Sequence, residues 1–419
     1  MDIELIDAQL VDLKEVFRPA TPTVNPDFLV GRGVELGRAM GAVSEPGRGL
    51  IIFGERGVGK TSVANEVMRR FREKSSDSLA IRVACAAGDD FSKIWKRAIE
   101  GASDAVFNMD DKYQALRAAV DRVEDIMMDE PSPASVLRSL KLLSHHLPLL
   151  VVIDEFDRVS DFSLGMSVDY DEVLRTQQQF ADLIKYMSDE PHAGTLVIVG
   201  VADTIGELLG KHGSIERSLA QIPMPRLDEE ELQALASTGF GAVAKATGLD
   251  FNLDEDASRT IAAISQGFPY YAHLLAATVG ELAIRSGDYH ITRRAVLDAL
   301  MKASENAEAS IVKAYTDGTQ AARSHATYAE TLLACALAES DHLGYFAARD
   351  IAGDLSVLTG TAKNPSHYQF HLQKFQDCDP PLLEAQKRAG RSIYRFANPL
   401  MRPYVLMKGV ADGKFSFDR

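Results

Sequence analysis

The chain has few cysteines and no long apolar run, and each of these features excludes some classes of protein. Its three cysteines, Cys85, Cys335 and Cys378, lie far apart in the 419-residue sequence and form no C-x-x-C pair. This spacing excludes a disulfide framework and a cysteine-based zinc site, so we expect reduced thiols. No apolar run reaches the length of a membrane span, and the acidic first residues lack the cationic start of a signal peptide. We therefore expect a cytoplasmic protein without a membrane partner.

Positive charge is also scarce. The 45 lysines and arginines stand against 60 aspartates and glutamates, which gives a net charge of −15. This balance argues against a protein that coats nucleic acid with its whole surface, although it is compatible with one local basic face. The hydrophobic content of 46% is that of an ordinary soluble globular protein.

One short glycine-rich segment carries the strongest chemical signal. Residues 54–61 read Gly-Glu-Arg-Gly-Val-Gly-Lys-Thr and fit the phosphate-binding pattern G-x-x-x-x-G-K-[ST]. An apolar run at 50–53 predicts a buried strand before the segment, and helical spacing of apolar residues follows it. Glycines let backbone N–H groups converge on an anion, and a lysine adds positive charge for the β- and γ-phosphates. The segment therefore predicts ATP or ADP binding by Glu55, Arg56, Gly57, Val58, Gly59, Lys60, Thr61 and Ser62.

A second buried-strand pattern ends in two carboxylates. The apolar residues 149–153 are followed directly by Asp154 and Glu155. Such a strand end would let Asp154 hold Mg²⁺ beside the Thr61 hydroxyl, and Glu155 polarise the water that attacks the γ-phosphate. The alternative is a strand that runs into an acidic surface turn, in which Asp157 pairs with Arg158. Together with residues 54–61, the pattern favours an ATPase in which Lys60 and Glu155 are catalytic.

Four regions follow one another along the chain. Residues 1–24 are predicted to be an extended, proline-punctuated arm that lies on the next domain. Residues 25–226 alternate between strand and helix, which predicts an α/β fold with a parallel sheet between helices, as in P-loop NTPases. The predicted strands are at 50–53, 79–84, 149–153, 195–201 and 221–223.

The remaining two regions lack this alternation. Residues 227–318 are predicted to be an all-helical lid, with helices at 256–265, 270–286 and 292–312. Residues 319–419 show three short helices, at 327–338, 345–355 and 366–376, and then a hairpin, which is the pattern of a winged-helix domain. Residues 160–171 are predicted to be a loop insertion.

Two more polar residues could serve a nucleotide site. Asp203 follows the strand at 195–201, where it could contact the γ-phosphate or its water; alternatively, it or Thr204 caps the next helix. Arg217 could reach a neighbouring subunit's γ-phosphate, or it could pair at the surface with Glu216 or Glu207. The residues alone leave both choices open.

The chain resembles AAA+ ATPases, in particular the origin-recognition and initiator ATPases of archaea and their bacterial relatives. The resemblance rests on Phe28-Leu29-Val30-Gly31-Arg32, the segment 54–61, the stretch 152–157, the region 195–204, residues 214–219, the lid and the winged helix. It implies that Val30 and Gly31 lie against the adenine. It also implies that Asp203 is the sensor 1 residue and that Arg217 is an arginine finger supplied in trans, as in a homo-oligomer.

The lid departs from the initiator pattern. Initiator ATPases carry a phosphate-contacting arginine in a Gly-x-x-Arg context, whereas this chain reads Gly267-Phe268-Pro269-Tyr270. The Gly-x-Pro motif is similar to that of STAND signalling ATPases, which implies that Pro269 packs near the nucleotide base. Alternatively, Pro269 is the first residue of a helix. The missing arginine implies slow hydrolysis.

The predicted winged helix has a local excess of cations. Residues 382–408 contain six cations and one carboxylate, Glu384, so their net charge is +5. We expect Lys387, Arg388 and Arg391 to contact double-stranded DNA, and the polar helix before them to contact a groove. Alternatively, the domain docks on a partner protein or folds back to hold the ATPase closed.

These patterns favour a cytoplasmic, slow, Mg²⁺-dependent ATPase whose nucleotide state controls DNA binding or assembly through the winged helix. The alternative is a STAND-like switch or scaffold that binds ATP, recruits a protein partner and hardly turns over. An ATPase of anti-phage defence or of a mobile element is a third possibility, which no residue selects.

Overall fold

The computed structural model describes residues 3–22, 28–75, 77–160, 169–210, 215–320, 327–341, 344–388 and 390–416. Contacts within the chain divide it into two units. The sheet unit comprises Pro22–Pro225, and the helical unit comprises Met1–Thr21 together with Arg226–Arg419. The first helix, α1 (Ile3–Val16), therefore belongs to the helical unit.

A parallel sheet forms the centre of the sheet unit. Its strands are β1 (Gly49–Gly54), β2 (Leu79–Ala84), β3 (Leu149–Asp154), β4 (Thr195–Val201) and β5 (Leu219–Pro223). Within the described residues their order is β2-β3-β4-β1-β5, and every pairing is parallel. β3 is buried along its whole length, as expected when helices cover both faces of a sheet. The predicted α/β fold is confirmed.

One helix of the sheet unit precedes β1, and the others occupy the crossovers between the strands. They are α2 (Gly33–Val43), α3 (Lys60–Lys74), α4 (Phe91–Phe107), α5 (Gln114–Met128), α6 (Pro133–Ser144), α7 (Tyr170–Asp189) and α8 (Ile205–Leu209). Short 3-10 helices span Asp111–Tyr113, Phe156–Ser160 and Ile215–Arg217. An aromatic cluster fixes the helices on one face: the ring of Phe180 lies 5.0 Å from Phe91 and 4.8 Å from Phe156.

The first part of the helical unit contains the predicted lid. Its helices are α9 (Glu229–Thr247), α10 (Glu255–Ser265), α11 (Pro269–Ser286), α12 (Arg293–Glu305) and α13 (Ala309–Thr319). The single helix predicted at 292–312 is wrong, because α12 ends before a turn at 306–308. In that turn the Glu308 N–H donates to the Tyr270 hydroxyl at 2.8 Å, a tertiary bond that local periodicity does not reveal. Two short strands, β6 (Asn252–Leu253) and β7 (His290–Ile291), also pair here.

The N-terminal residues differ from the predicted extended arm. Helix α1 packs on α9 and α11 of its own unit. Leu10, Leu13 and Phe17 are buried, and the Phe17 ring lies 4.9 Å from the Phe240 ring. The prediction failed because the apolar face of α1 is covered by helices that lie more than two hundred residues further along the chain.

The last part of the helical unit forms a helix–hairpin segment, residues 328–396. It contains α14 (Tyr328–Leu337), β8 (Phe346–Ala347), a 3-10 helix (Ala348–Ile351), α15 (Ala352–Thr359), α16 (Pro365–Asp377), β9 (Leu383–Arg388) and β10 (Arg391–Phe396). The described strands form an antiparallel sheet in the order β8-β10-β9. The helix predicted at 345–355 is wrong at its start, because Phe346 and Ala347 pair with β10 instead. Helix α17 (Met401–Ala411) follows and packs on α12 and α14.

Among the residues that the structure describes, no helix has the length and apolar character needed to cross a membrane.

Candidate nucleotide-binding site

The loop after β1 turns sharply at its glycines. A Cβ added at Gly54, whose φ is 149°, would lie 2.6 Å from the Met224 carbonyl oxygen, so a side chain does not fit there. Gly59 is the N-cap of α3 and has a left-handed φ of 94°. This conformation favours glycine. The loop thereby folds back over the end of β1 and leads directly into α3.

The first turn of α3 provides backbone donors. Its first intrahelical bond runs from the Val63 N–H to the Gly59 carbonyl at 3.1 Å. The N–H groups of residues 60–62 precede that bond and have no acceptor within the helix. Since the helix dipole is also positive at this end, the loop and α3 together form a site for an anion.

Lys60 lies under the loop rather than in solvent. Its side chain is 8% exposed, and its Nζ donates to the carbonyls of Gly54 at 3.0 Å and Glu55 at 2.7 Å. Burial lowers the pKa of Lys60 from 10.5 to about 8, an effect that the nearby carboxylates of Asp157 and Asp154 oppose. The ammonium is thus held at the anion site by two carbonyls.

Asp154, at the end of β3, is 1% exposed, and both its oxygens have partners. Oδ1 accepts from the Glu155 N–H at 2.8 Å and from the Thr61 hydroxyl at 3.4 Å. Oδ2 accepts from Nε of Arg82 at 3.1 Å and from its Nη2 at 2.6 Å. The structure therefore brings Thr61 and Asp154 together, as the sequence predicted.

Glu155 adopts an unusual backbone conformation at the strand tip. Its φ is 54°, in the left-handed region that costs a non-glycine residue about 1 kcal/mol or more. Its carboxylate is half exposed and lies 3.4 Å from Nη1 of Arg158. Asp157 accepts instead from the Val201 N–H at 2.7 Å and so attaches the 3-10 helix to β4. The alternative surface pair of Asp157 with Arg158 is wrong.

An arginine connects the start of α2 to the loop. Arg32 is 3% exposed, and its Nη2 donates to the Val58 carbonyl at 2.8 Å. This bond holds the segment that contains Val30 and Gly31 against the loop. Gly31 has a left-handed φ of 73°, and both residues are partly exposed. Their contact with an adenine stays a prediction.

Asp203 and Arg217 lie at opposite ends of the parallel strands: Asp203 at the carboxyl ends and Arg217 at the amino ends. Asp203 follows β4, whose neighbours are β1 and β3, so it leaves the sheet at the edge that carries residues 54–61 and Asp154. Its N–H donates to Glu207 at 2.9 Å, and the N-cap of α8 is Thr204, without a side-chain capping bond. Arg217 is exposed and precedes β5, at the other edge. Because β5 runs parallel to β1, Arg217 is separated from the loop of its own chain by the length of a strand, about 15–20 Å.

The lid residues lie in the helical unit. Pro269 is the first residue of α11, the position at which proline is best tolerated in a helix. The Tyr270 hydroxyl accepts from Glu308, and the buried His273 lies 6.0 Å from the Phe17 ring. Burial lowers the pKa of His273 from 6.5 to about 4. Packing of Pro269 near a nucleotide base stays a prediction.

Four of the six cations of residues 382–408 are engaged within the protein, including Lys408, whose Nζ lies 2.9 Å from Asp412. Arg402 is partly buried and donates to the carbonyls of Ala336 and Ala338 at 2.9 Å, which caps the end of α14. Arg388 pairs with Asp341 at 3.1 Å, and Arg395 pairs with Glu384 at 3.0 Å. Contact of Lys387, Arg388 and Arg391 with DNA stays a prediction. Lys387 and Arg391 are exposed at the hairpin tip.

Sequence reasoning missed Arg82 and gave Arg32 no role. Arg82 interrupts the otherwise apolar β2, and a charged residue within a buried parallel strand is itself a signal. Ser214 and most of the predicted loop at 160–171 lie outside the described residues.

The residues at the carboxyl edge of the sheet fit a nucleoside triphosphate with a divalent cation. A buried ammonium and the N–H groups of the first turn of α3 suit phosphate oxygens, and the Thr61 hydroxyl and Asp154 carboxylate are oxygen ligands of the type that Mg²⁺ prefers. Residues 29–199 match the family model described as the AAA ATPase domain. The sheet unit thus has the fold of an AAA ATPase.

Solved structures extend the likeness over nearly the whole chain. The Aeropyrum pernix ORC2 protein in ADPNP-ADP complexes has 15% identity and a TM-score of 0.51, over 96% of this chain and 98% of that chain. The Aeropyrum pernix ORC1 protein in complex with DNA has 17% identity and a TM-score of 0.47, over 96% of both chains. Cdc6p from Pyrobaculum aerophilum has 16% identity and a TM-score of 0.44, over 96% and 99%. No curated protein matches the sequence significantly. The predicted resemblance to archaeal origin-recognition ATPases is confirmed at the level of the fold.

Proposed function

We propose that this chain binds ATP with Mg²⁺ at residues 54–61 and hydrolyses it slowly. The observation that carries the proposal is the convergence of Lys60, Thr61, Asp154 and Glu155 at one edge of the sheet. A buried ammonium, a hydroxyl 3.4 Å from a buried carboxylate, and a second carboxylate at the same strand end supply the groups that phosphoryl transfer requires. We also infer that the protein is cytoplasmic, and its three free cysteines are compatible with this location.

Each residue would have a distinct task. Lys60 and the first N–H groups of α3 bind the phosphate oxygens, while Gly57 and Gly59 let the backbone approach them. Thr61 and Asp154 would hold Mg²⁺, which supplies positive charge to the β- and γ-phosphates. Glu155 accepts a hydrogen bond from the attacking water and orients it.

We infer slow turnover from the resemblance to initiator ATPases, because the lid of this chain departs from theirs. The tyrosine that replaces the initiator arginine, Tyr270, is bonded to the start of α13 and brings no positive charge. A lid without that cation leaves less stabilisation for the charge of the transition state. The STAND-like alternative, a switch that binds ATP and recruits a protein partner, differs mainly in having no measurable turnover.

The Glu155→Gln variant tests the proposal. It keeps the size of the side chain and should bind ATP like the wild type while losing at least about 100-fold in hydrolysis. Glu130→Gln is a matched control, because Glu130 also lies 3.4 Å from an arginine, Arg175, on an exposed surface. Unchanged hydrolysis in Glu155→Gln would contradict the proposed role. Undetectable turnover of the wild type, with and without DNA, would favour the STAND-like switch.

We further propose that the helix–hairpin segment contacts double-stranded DNA. No aspartate or glutamate occurs from residue 355 to residue 376, although such residues make up 60 of the 419 in the chain. α16 exposes Gln369, Phe370 and Gln373, opposite its buried face. Amide and aromatic side chains suit the edges of base pairs, and Lys387 and Arg391 at the hairpin tip suit phosphates.

Charge reversal at the hairpin tip tests DNA binding. The double variant Lys387→Glu and Arg391→Glu should weaken retention of a DNA duplex and lower the salt dependence of log K by about 2. Lys245→Glu with Lys313→Glu makes the same charge change on exposed lysines of α9 and α13 and should have less effect. Equal retention by both double variants would remove the DNA claim and favour a protein partner.

We also propose that Arg217 serves the site of a neighbouring copy. It is exposed at the sheet edge opposite its own nucleotide loop, which suits an arginine supplied in trans. Arg217→Ala protein and Lys60→Ala protein should each be inactive and should regain activity when mixed. Failure of a mixed assembly to recover activity would contradict this role and leave Arg217 as a surface residue.

A further inference from the structure

Arg82 is the ion-pair partner of the Asp154 carboxylate in this structure. It projects from β2 at the position paired with Val152, two residues before Asp154 in the neighbouring strand. Its Nε and Nη2 both donate to Oδ2 of Asp154, at 3.1 and 2.6 Å. Asp154 is 1% exposed while the Arg82 side chain is 35% exposed, so the arginine reaches a buried carboxylate from a position open to water.

A buried carboxylate requires compensation for its charge. Removing an ionised carboxylate from water costs several kcal/mol unless a cation or hydrogen bonds replace the lost hydration. A carboxylate offers about four acceptor positions, and Asp154 uses four: two for Arg82, one for the Glu155 N–H and one for the Thr61 hydroxyl. A metal ion that used this carboxylate would have to displace or share one of these donors.

We propose that Arg82 is a counter-ion that competes with Mg²⁺ for Asp154 and so sets the magnesium concentration at which the site is filled. The inference rests on the proposed function, since it concerns the same nucleotide site. At low magnesium the arginine neutralises the charge of the Asp154 carboxylate and keeps the site folded. At high magnesium the guanidinium gives up part of its contact and turns toward solvent, which its exposure allows.

The competition has a measurable size. Arg82 makes two hydrogen bonds to the Asp154 carboxylate, and one hydrogen bond to a charged group is worth about a tenfold change in an equilibrium constant or more. Removing Arg82 should therefore strengthen the effect of magnesium on nucleotide binding at least about tenfold. Arg82 is a positioning residue, because it acts through Asp154 and touches no reacting atom.

The test is calorimetric binding of ADP to the full-length protein with excess EDTA and with saturating MgCl₂. The ratio of the two ADP dissociation constants measures the coupling between magnesium and nucleotide, and it requires no turnover. We expect this ratio to be at least about tenfold larger in Arg82→Gln than in the wild type, and intermediate in Arg82→Lys. Without magnesium, Arg82→Gln should also melt at a lower temperature, and MgADP should raise its melting temperature more than that of the wild type.

A matched arginine separates this effect from general destabilisation. Arg97 pairs with Asp89, which is 8% exposed, in the same unit. Arg97→Gln should lower the melting temperature and leave the magnesium ratio at its wild-type value. A wild-type ratio in folded Arg82→Gln would overturn the proposal and leave Arg82 a structural residue. If Arg82→Gln does not fold, Arg82→Lys decides instead. A ratio of its two ADP dissociation constants at or below the wild-type value would overturn the proposal. Absence of ADP binding to the wild type itself would refute the proposed function instead.

Discussion

We expect nucleotide affinity to depend on pH through the protonation of Lys60. Burial lowers the pKa of its ammonium to about 8, so the unliganded protein loses this charge in a range where an exposed lysine keeps it. A triphosphate next to the ammonium favours the protonated form. Binding above pH 8 must therefore take up a proton, and affinity falls as the pH rises.

The size of the effect follows from the pKa. With a pKa of about 8, the protonated fraction of Lys60 is about 0.9 at pH 7 and about 0.1 at pH 9. We expect the dissociation constant for ATP to rise about tenfold over this interval, which corresponds to about 1.4 kcal/mol. Calorimetry in two buffers of different ionisation enthalpy should report an uptake of about one proton at pH 9 and almost none at pH 7.

Lys60→Arg is the control, because an arginine keeps its proton at pH 9. The affinity of Lys60→Arg for ATP need not equal that of the wild type, because the comparison uses only the ratio of the dissociation constants at pH 9 and pH 7. Titration of the nucleotide itself affects this ratio equally in both proteins. The reasoning is refuted if the wild type binds equally well at both pH values, or if Lys60→Arg shows the same decline.

Three further predictions concern the helical unit. Because burial lowers the pKa of His273 in the folded state, protonation of this residue favours the unfolded state and lowers the free energy of unfolding by about 2 kcal/mol as the pH falls from 6.5 to 5. In urea unfolding, His273→Leu should lack this part of the pH dependence. Gly239→Ala places a Cβ 2.3 Å from the Phe17 ring and should destabilise the unit by about 1–3 kcal/mol, whereas Gly241→Ala, with no atom within 4 Å, should not. Arg402→Met removes the cap of α14 and should lower the free energy of unfolding, measured with a chemical denaturant, by about 2–4 kcal/mol. A decrease as small as that of Lys408→Met would contradict the assigned role.

The nucleotide site was largely predictable because its signals are local. Residues 54–61 form a contiguous motif between an apolar run and a helical pattern, and Asp154 and Glu155 directly follow another apolar run. The parallel sheet then brings the two strand ends together, as the alternation of strands and helices implies. These predictions need only neighbouring residues and the rule that the carboxyl ends of parallel strands meet at one edge of the sheet.

The remaining features depend on partners that are distant in sequence. Arg82 meets Asp154 seventy-two residues later, and nothing near Arg82 indicates that carboxylate. Arg402 has the sequence context of a surface cation, yet its acceptors lie at the end of a helix more than sixty residues earlier. The apolar face of α1 likewise has no neighbour in sequence to cover it. Local patterns therefore predicted which residues the fold brings together at the carboxyl edge of the sheet, but not which residues hold them in place.

Every role proposed at the nucleotide site depends on a nucleoside triphosphate binding at residues 54–61. Calorimetric titration of the full chain with ATP in the presence of magnesium measures this binding. We expect one ATP per chain, and loss of binding in Lys60→Ala protein of unchanged circular dichroism. A folded wild-type protein that takes up neither ATP nor ADP under these conditions would contradict the account.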